Sequence, residues 1–504
     1  MLNNISPYNK HKIIIFSLIS FFLFTRLLLF VEPMFGGDMF EYYLMTEGFK
    51  NHFSVDLRIE DIESFDLMAR TFYPGNGFLE IVKNEFPGFL ERNKEFMQDS
   101  WGYFTDLNGD KYSYHFWLYS LINVPVSILL GFLNMDGLKS FQITNFLIAF
   151  FSCIYTLFFS RLEESKRIFL TAFFFFSATL WYIPFPGPEV FSISFFFLAL
   201  ILYYEKKYYG ALLFLVLGST QNPPIIFFAP VICLKLLREN GFTLKNILSM
   251  GFIGVLCLAP SAFYYYNFGI PNIIIHKGYL ANNHLSFTRF LGFFFDLNQG
   301  LFLAIPILFL IWVFTYIKKI KKGPKSWDFD LLFLPISMLM VFTFINMHIW
   351  NGGANVHRYA SWSSIPFLVF ALYHFNYETK FGKTIISTVL IFQILFVYNI
   401  LGFLQAGEFN CKGYMIGKHN PLSKFVMNNY PDYYNPDPDI FLHRTVGGGY
   451  SADNSPVIYY DDKNQVRKIS VHFSKVNELN DTLKNNNKKM VNIHFVNGWG
   501  YINF

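Results

Sequence analysis

Lys10-His-Lys-Ile-Ile-Ile-Phe-Ser-Leu-Ile-Ser-Phe-Phe-Leu-Phe-Thr-Arg-Leu-Leu-Leu-Phe-Val31 runs directly into Glu32-Pro-Met-Phe-Gly-Gly-Asp38-Met-Phe-Glu41-Tyr42-Tyr43. The apolar run from Ile13 to Val31 follows Lys10 and Lys12, is long for a signal-peptide core and lacks a small-x-small cleavage site. It therefore reads as a retained signal anchor that delivers Asp38 to a membrane surface. Composition agrees: 53% of the 504 residues are hydrophobic and only 15% charged, too little polar surface to cover a water-soluble globule of this length. The 66 phenylalanines and 31 tyrosines suit helices against acyl chains with rings near the headgroups.

Outward from the anchor, further apolar runs lie at about 141–160, 168–183, 188–204, 208–220, 222–237, 247–266, 299–317, 329–347, 359–376 and 383–402, each compared with roughly 20 residues per crossing. With the anchor they predict a mainly α, polytopic transmembrane bundle of about eleven spans. The run 115–133 contains Pro125 and is read as non-spanning, because counting it as a crossing would export every lysine cluster. With it left in the interface, the loops 161–167, 205–207, 238–246, 318–328 and 377–383 share the inner side with Arg161, Lys166, Lys206, Lys207, Lys245, Lys318, Lys319, Lys321 and Lys322. The expected domains are a membrane domain over 1–403, with an outer loop at 32–140 carrying juxtamembrane helices, and an extracytoplasmic domain over 404–504 of α/β or β type. In the latter, Ile469, Val471, Phe473 and Val491, Ile493, Phe495 alternate like strands, Asn435-Pro-Asp-Pro-Asp439 is a turn-rich linker, and 484–489 is a solvated loop.

A formal charge of +5 is no footprint for nucleic acid, which is excluded as a partner. Cys153, Cys233 and Cys257 fall inside apolar runs and Cys411 stands alone, so no disulfide framework is implied.

Five polar clusters emerge on the outer face. Asp38 ends the anchor, where a carboxylate stays ionised yet touches lipid-borne molecules, and Glu41 and Tyr42 follow it. Glu189 ends Pro184-Phe-Pro-Gly-Pro-Glu189, Asn222 lies in Ser219-Thr-Gln-Asn-Pro-Pro224, and Asp296 opens Asp296-Leu-Asn-Gln-Gly300. The fifth, Asn346-Met-His-Ile-Trp350-Asn-Gly-Gly-Ala-Asn-Val-His357-Arg358-Tyr359, offers glycines for close backbone approach and an arginine fork suited to phosphate. Three of them have a plainer reading as well: Asp38 as a helix N-cap, Arg358 snorkelling to headgroups, Glu189 stabilising a helix start. Asp106-Leu-Asn-Gly-Asp110 has the first ligand spacings of a calcium loop but Trp117 in the twelfth position, and reads as a turn.

Asp38 after the first span, Asp106-Leu-Asn-Gly-Asp-Lys-Tyr-Ser-Tyr-His115 before a non-spanning apolar helix, and Trp350-Asn-Gly-Gly ending in Arg358-Tyr359 together resemble the GT-C superfamily, in its protein-mannosyltransferase and aminoarabinose-transferase branch. The likeness extends over most of residues 1–402, with a shorter spacing between the glycines and Arg358 and with His357 in place of a smaller residue. The resemblance implies a membrane glycosyltransferase using a polyprenyl-phosphate sugar, a catalytic Asp38 and a donor-phosphate role for Arg358.

The expected chemistry is transfer to an acceptor hydroxyl, on lipid, glycan or protein, that loses its proton to Asp38 as general base while Arg358, with Lys277 or His357, meets the charge growing on the departing polyprenyl phosphate. A single displacement inverts the anomeric centre; a double displacement would need Glu41 or Glu189 as a second carboxylate about 5 Å away. Glu41, Tyr42, Glu189, Asn222, Asp296 and Trp350 complete the expected substrate site. No metal ligand set is assigned, although a divalent cation at the phosphate stays open. The expected location is the cytoplasmic membrane of a bacterium with the site facing the periplasm. The competing class is a transporter or flippase of lipid-linked saccharides, whose ionisable residues would lie near the midplane.

Overall fold

A computed structural model of the chain describes residues 7–33, 38–73, 102–280, 285–323, 328–346, 358–399, 418–447, 453, 455–479, 493, 495–496 and 498–504. Trp350, His357, Cys411 and the loop 484–489 lie outside the described residues, and so does Val491.

The described chain is mainly helical. Helix α1 (Pro7–Phe30) leaves Ile15, Leu18, Phe21 and Phe22 exposed and packs Phe16 and Phe24 on Phe150 and Phe146. Asp38 then starts α2 (Met39–His52), followed by α3 (Ile59–Phe72). A hairpin of β1 (Tyr103–Thr105) and β2 (Lys111–Ser113) is closed by the Asp106–Asp110 turn, where Asp106 Oδ1 accepts from the amides of Asn108 and Asp110. That turn is what the Asp/Asn/Gly composition predicts.

Helix α4 (Leu118–Phe132) is the apolar run with Pro125. Its Tyr119 and Asn123 bond to Asn145, Ser140 and Thr144 in the first turns of α5 (Ser140–Ile154), and Ser120 Oγ donates to the Tyr42 carbonyl at 3.0 Å. These buried polar bonds tie α2, α4 and the start of α5 into one layer.

Next come α6 (Glu164–Phe175), α7 (Ala178–Tyr182), α8 (Glu189–Tyr204), α9 (Tyr208–Ser219), α10 (Ala229–Asn240), α11 (Leu244–Cys257), α12 (Ala259–Phe268), α13 (Ile273–His276), α14 (Phe287–Phe295), α15 (Leu301–Ala304), α16 (Pro306–Lys321), α17 (Phe333–Phe342), α18 (Arg358–Ser363), α19 (Ile365–His374) and α20 (Lys380–Asn399). Helix α8 is the centre: nearly every residue from Glu189 to Tyr203 is buried, among them Phe197 stacked on Phe174 at 4.2 Å.

Eleven uninterrupted crossings are not what the described residues form. The run 168–183 breaks at Phe176, where Ser177 Oγ caps the Thr179 amide, and 299–317 and 359–376 break at Ile305 and Ser364, each just before a proline that lacks the amide needed to continue the ladder. The runs 222–237 and 329–347 open with 3-10 turns, Pro223–Phe228 and Phe329–Leu332. Among the described residues two helical stretches are long and apolar enough to cross a membrane, Gly137–Phe159 and Lys380–Val397, or three if α11 and α12, bent by 43°, form one.

The helix ends sort into two layers. At the C-terminal end of α8, Glu205 pairs with Lys207 at 2.5 Å and accepts from the Arg161 amide, Lys235 pairs with Asp328 at 2.8 Å, Lys206 lies 3.5 Å from Glu239, and Asp330 pairs with Lys319 and His374, each at 2.6 Å. Residues of four of the loops read as inner, 161–167, 205–207, 238–246 and 318–328, thus meet at one end. Glu189 stands at the other end of α8, which at 1.5 Å rise over 16 residues is about 24 Å away.

The described C-terminal region contains α21 (Pro421–Asn429), α22 (Pro438–Val446) and a four-stranded antiparallel sheet in the order β3-β4-β6-β5, with β3 Val457–Tyr460, β4 Val466–His472, β5 Phe495–Val496 and β6 Trp499–Asn503. It has hydrophobic clusters of its own around Phe441 and Ile469. Two details differ from the sequence reading: Phe473 lies just past β4, 62% exposed, and the linker Asn435–Asp439 already starts a helix, with Asp437 accepting from the Asp439 amide and Pro438 in the first turn.

Candidate active site

Asp38 is the cap position of α2, yet its side chain makes no capping hydrogen bond; it turns to Arg358, whose Nη1 donates to Oδ2 at 2.6 Å. The plain N-cap reading therefore fails. Arg358 opens α18 and donates through Nε to Glu189 Oε1 at 2.7 Å, with its guanidinium 5.5 Å from the centre of the Phe185 ring. Residues 38, 189 and 358, each at the end of an apolar run, so form one ion cluster at the end of α8 opposite the lysines.

The surroundings hold this cluster in shape. Asn145 donates to the Phe185 carbonyl at 2.7 Å and Gln142 to that of Pro184, fixing the turn that leads into Glu189. The Asp38 side chain is 26% exposed, whereas those of Arg358 and Glu189 are 16% and 3% exposed. Tyr114 donates to Asp38 Oδ1 at 3.3 Å, and His115 Nε2 lies 3.5 Å from Oδ2, an ion-pair distance. The His115 ring sits between those of Tyr42 and Tyr114, at 4.9 and 4.1 Å.

Burial alone would raise the Asp38 carboxyl, but the charges of Arg358 and His115 outweigh it and hold the group well below the usual carboxylate range. Glu41, one turn further along α2, moves the other way: burial first, and then the Asp38 charge, push it well above the ordinary glutamate value. Two carboxyls in one cluster are thus pushed in opposite directions, the environment favouring the anion at Asp38 and the protonated acid at Glu41. Glu41 Oε2, Glu189 Oε2 and the Tyr42 hydroxyl are buried with no hydrogen-bond partner among the described residues, a concentration of unmet polar atoms expected where a polar ligand binds.

Asp38, Glu41 and His115 each place a donor atom within 4.8 Å of the others, a mixed oxygen and nitrogen set of the kind a divalent cation accepts. With the guanidinium of Arg358 2.6 Å from Asp38, the positive charge at that carboxylate is supplied by the protein itself.

The other expected residues divide. Asn222 is buried and donates to Ser192 Oγ at 2.6 Å, one turn below Glu189, so it braces the site without facing its open side. Lys277 lies over the Phe104 ring at 4.7 Å, and that ring is 6.1 Å from Tyr114, which puts the lysine beside the aromatic wall next to Asp38. Asp296 is a correction. Its Oδ2 accepts from Tyr434 at 2.8 Å and its Oδ1 from the amides of Asn298 and Gln299, so it docks the C-terminal region and is no part of the Asp38 cluster. Around it, Arg444 reaches Gln299 at 3.3 Å, Asn420 takes the Asn298 carbonyl, and Arg289 pairs with Asp437 at 3.2 Å.

His115, Tyr114, Phe185 and Gly102 were not singled out as site residues from the sequence. Only His115 and Tyr114 carried a signal, as the end of the motif that leads into α4. No family model matches the chain, and neither does any curated protein or solved structure compared with it.

Proposed function

We propose that the chain is a polytopic membrane glycosyltransferase that moves a sugar from a polyprenyl-phosphate carrier to an acceptor hydroxyl at the outer, periplasmic face of a bacterial cytoplasmic membrane. One observation carries the reading. A partly exposed carboxylate, a buried carboxylate and an arginine, brought from residues 38, 189 and 358, meet at the end of the helices opposite the lysine layer. A transporter would be expected to keep its ionisable residues near the midplane. Here α8 separates the two charged layers by its whole length of 16 residues, about 24 Å against the roughly 30 Å of a bilayer core.

In this reading the acceptor oxygen attacks the anomeric carbon while its proton passes to Asp38, and the bond from that carbon to the phosphate oxygen breaks with its electron pair leaving on the polyprenyl phosphate. Arg358 meets the charge gathering there. Arg358 also explains why Asp38 is held as an anion in the resting site, with its proton affinity lowered until the cation is engaged elsewhere. Glu41 comes within 4.8 Å of Asp38, the spacing a double displacement would need, but it is 1% exposed and pushed toward its protonated form, and Glu189 is 3% exposed and held by Arg358; on those grounds the reading is a single inverting displacement.

The test is transfer in proteoliposomes from a panel of radiolabelled polyprenyl-phosphate hexoses and pentoses. Wild type should release polyprenyl phosphate from one of them, and Asp38→Asn should lose at least roughly a hundredfold in rate while eluting and melting like wild type. Turnover retained in Asp38→Asn removes the base; a flippase would move the donor without cleaving it.

A further inference from the structure

Arg358 holds its two carboxylates through different nitrogens, and the two are not equivalent. Nε donates to Glu189 Oε1 at 2.7 Å; Nη1 donates to Asp38 Oδ2 at 2.6 Å. Glu189 is fixed. It lies on the first turn of the buried helix α8, and the chain wraps it so closely that a Cβ on Gly187 would stand 2.3 Å from its Oε2. Asp38 is the opposite case: partly exposed, at the start of α2, with the Tyr114 hydroxyl at 3.3 Å and His115 Nε2 at 3.5 Å as other polar neighbours.

A guanidinium edge that fits a carboxylate also fits a phosphate. A phosphate arriving from the open side meets the Nη end first, where Asp38 already sits. We propose that Asp38 is the resident anion of Arg358's phosphate-binding end, displaced when a lipid phosphate binds, and that Glu189 is the positioning residue that keeps the guanidinium aimed once Asp38 has let go. This rests on the reading of Arg358 as the phosphate ligand. It imposes an order: the phosphate-bearing donor binds first, its arrival frees Asp38 from the cation that suppresses its proton affinity, and only then is Asp38 an effective base. Departure of the phosphate product lets Arg358 close on Asp38 again.

The two carboxylates therefore have opposite effects on phosphate binding, although each carries the same charge. The probe is farnesyl phosphate, titrated into the purified full chain in detergent, with farnesol as the control for the isoprenoid tail. Asp38→Asn removes the competitor and should bind the phosphate roughly tenfold more tightly than wild type, with farnesol unchanged. Glu189→Ala should bind it several-fold more weakly despite losing a negative charge, and Glu189→Gln, which keeps an acceptor for Nε, should return toward wild type. Tightening in both Asp38→Asn and Glu189→Ala would reduce the effect to simple charge and overturn the positioning role. Unchanged or weaker binding in Asp38→Asn overturns the exchange, and this arm stands even if Glu189→Ala does not fold. If Arg358→Gln binds farnesyl phosphate as well as wild type does, the phosphate reading under Proposed function falls as well, whereas loss of binding in Arg358→Gln with no gain in Asp38→Asn refutes the exchange alone.

Discussion

Gly102 shows how closely the cluster is enclosed. Its φ is +71°, and a Cβ there would stand 1.9 Å from Glu41 Oε1 and 2.5 Å from the Tyr114 ring. Gly102→Ala therefore combines left-handed strain with displacement of a buried carboxyl, and a loss of roughly 2–3 kcal/mol is expected in thermal or denaturant unfolding. Gly131→Ala is the control: its Cβ meets nothing within 4 Å, and alanine in a helix should gain up to about 1 kcal/mol. Glu41 itself should be more stable as the amide. Its folded-state value is raised, so whatever it contributes is present below the ordinary glutamate value and is lost as pH climbs through the raised one. Glu41→Gln should accordingly melt higher than wild type near neutral pH, with the gap closing in acid. At this scale the sequence was legible where a polar residue ends an apolar run, as Asp38, Glu189 and Arg358 do. It was not legible for Phe185, since a ring beside a span looks the same whether it lines a site or faces headgroups, and for His115 only the motif leading into α4 gave a hint. Asp296 misled for a similar reason: a carboxylate at the mouth of a helix has one linear signature, and its partner, Tyr434, lies 138 residues away.

Among the elements, the stretch 296–300 acts as a dock for the C-terminal region, and its chemistry makes the docking sensitive to pH. Burial pushes Asp296 up from 3.8 to about 6, the hydrogen bonds from Tyr434 and the Asn298 amide countering only part of this. The sign follows from linkage. A raised folded-state value favours the protonated form, so the contribution is complete below about pH 3.8 and disappears as pH rises through about 6. Two units correspond to roughly 2–3 kcal/mol. Wild type should lose that stability between pH 4 and 6.5 relative to Asp296→Asn, read as growing protease sensitivity of the chain around α21 and α22; identical pH profiles for the two proteins would refute the link. Burial likewise holds the neighbouring His419 down to about 3, so across this window it stays neutral in the folded chain while the unfolded imidazole is protonated; that opposing slope is common to wild type and Asp296→Asn and cancels in their comparison. The same stretch shows what periodicity could and could not convey about elements. Apolar runs located the helices, but the breaks at Ile305 and Ser364 follow from Pro306 and Pro366, and hydropathy averages over such breaks.

Across the whole molecule, direction is carried by several helices at once. From the site end toward the lysine end run α8 from Glu189 to Tyr204, and α18 with α19 from Arg358 to His374. Helix α16 also runs that way, from the docking stretch to Lys319, while α9 returns from Tyr208 to the Asn222 brace. The buried polar bonds from Tyr119 and Asn123 in the first turns of α4 reach residues 140–145 of α5, which joins the start of α4 to the site end. A layer of lysine–carboxylate pairs lies at one end and a carboxylate–arginine cluster at the other, about 24 Å apart along α8; the proposed orientation puts the lysine end inside, as the positive-inside tendency would require. This orientation is directly testable. In a chain with Cys153, Cys233, Cys257 and Cys411 replaced by serine, single cysteines at Leu107, 72% exposed beside the site, and at Phe242, 81% exposed between α10 and α11, should react with a membrane-impermeant maleimide from opposite compartments of intact cells. Leu107→Cys should label from outside, and Phe242→Cys only after permeabilisation. Labelling of both from one side would undo the orientation, and with it the assignment of Asp38 to a periplasmic surface.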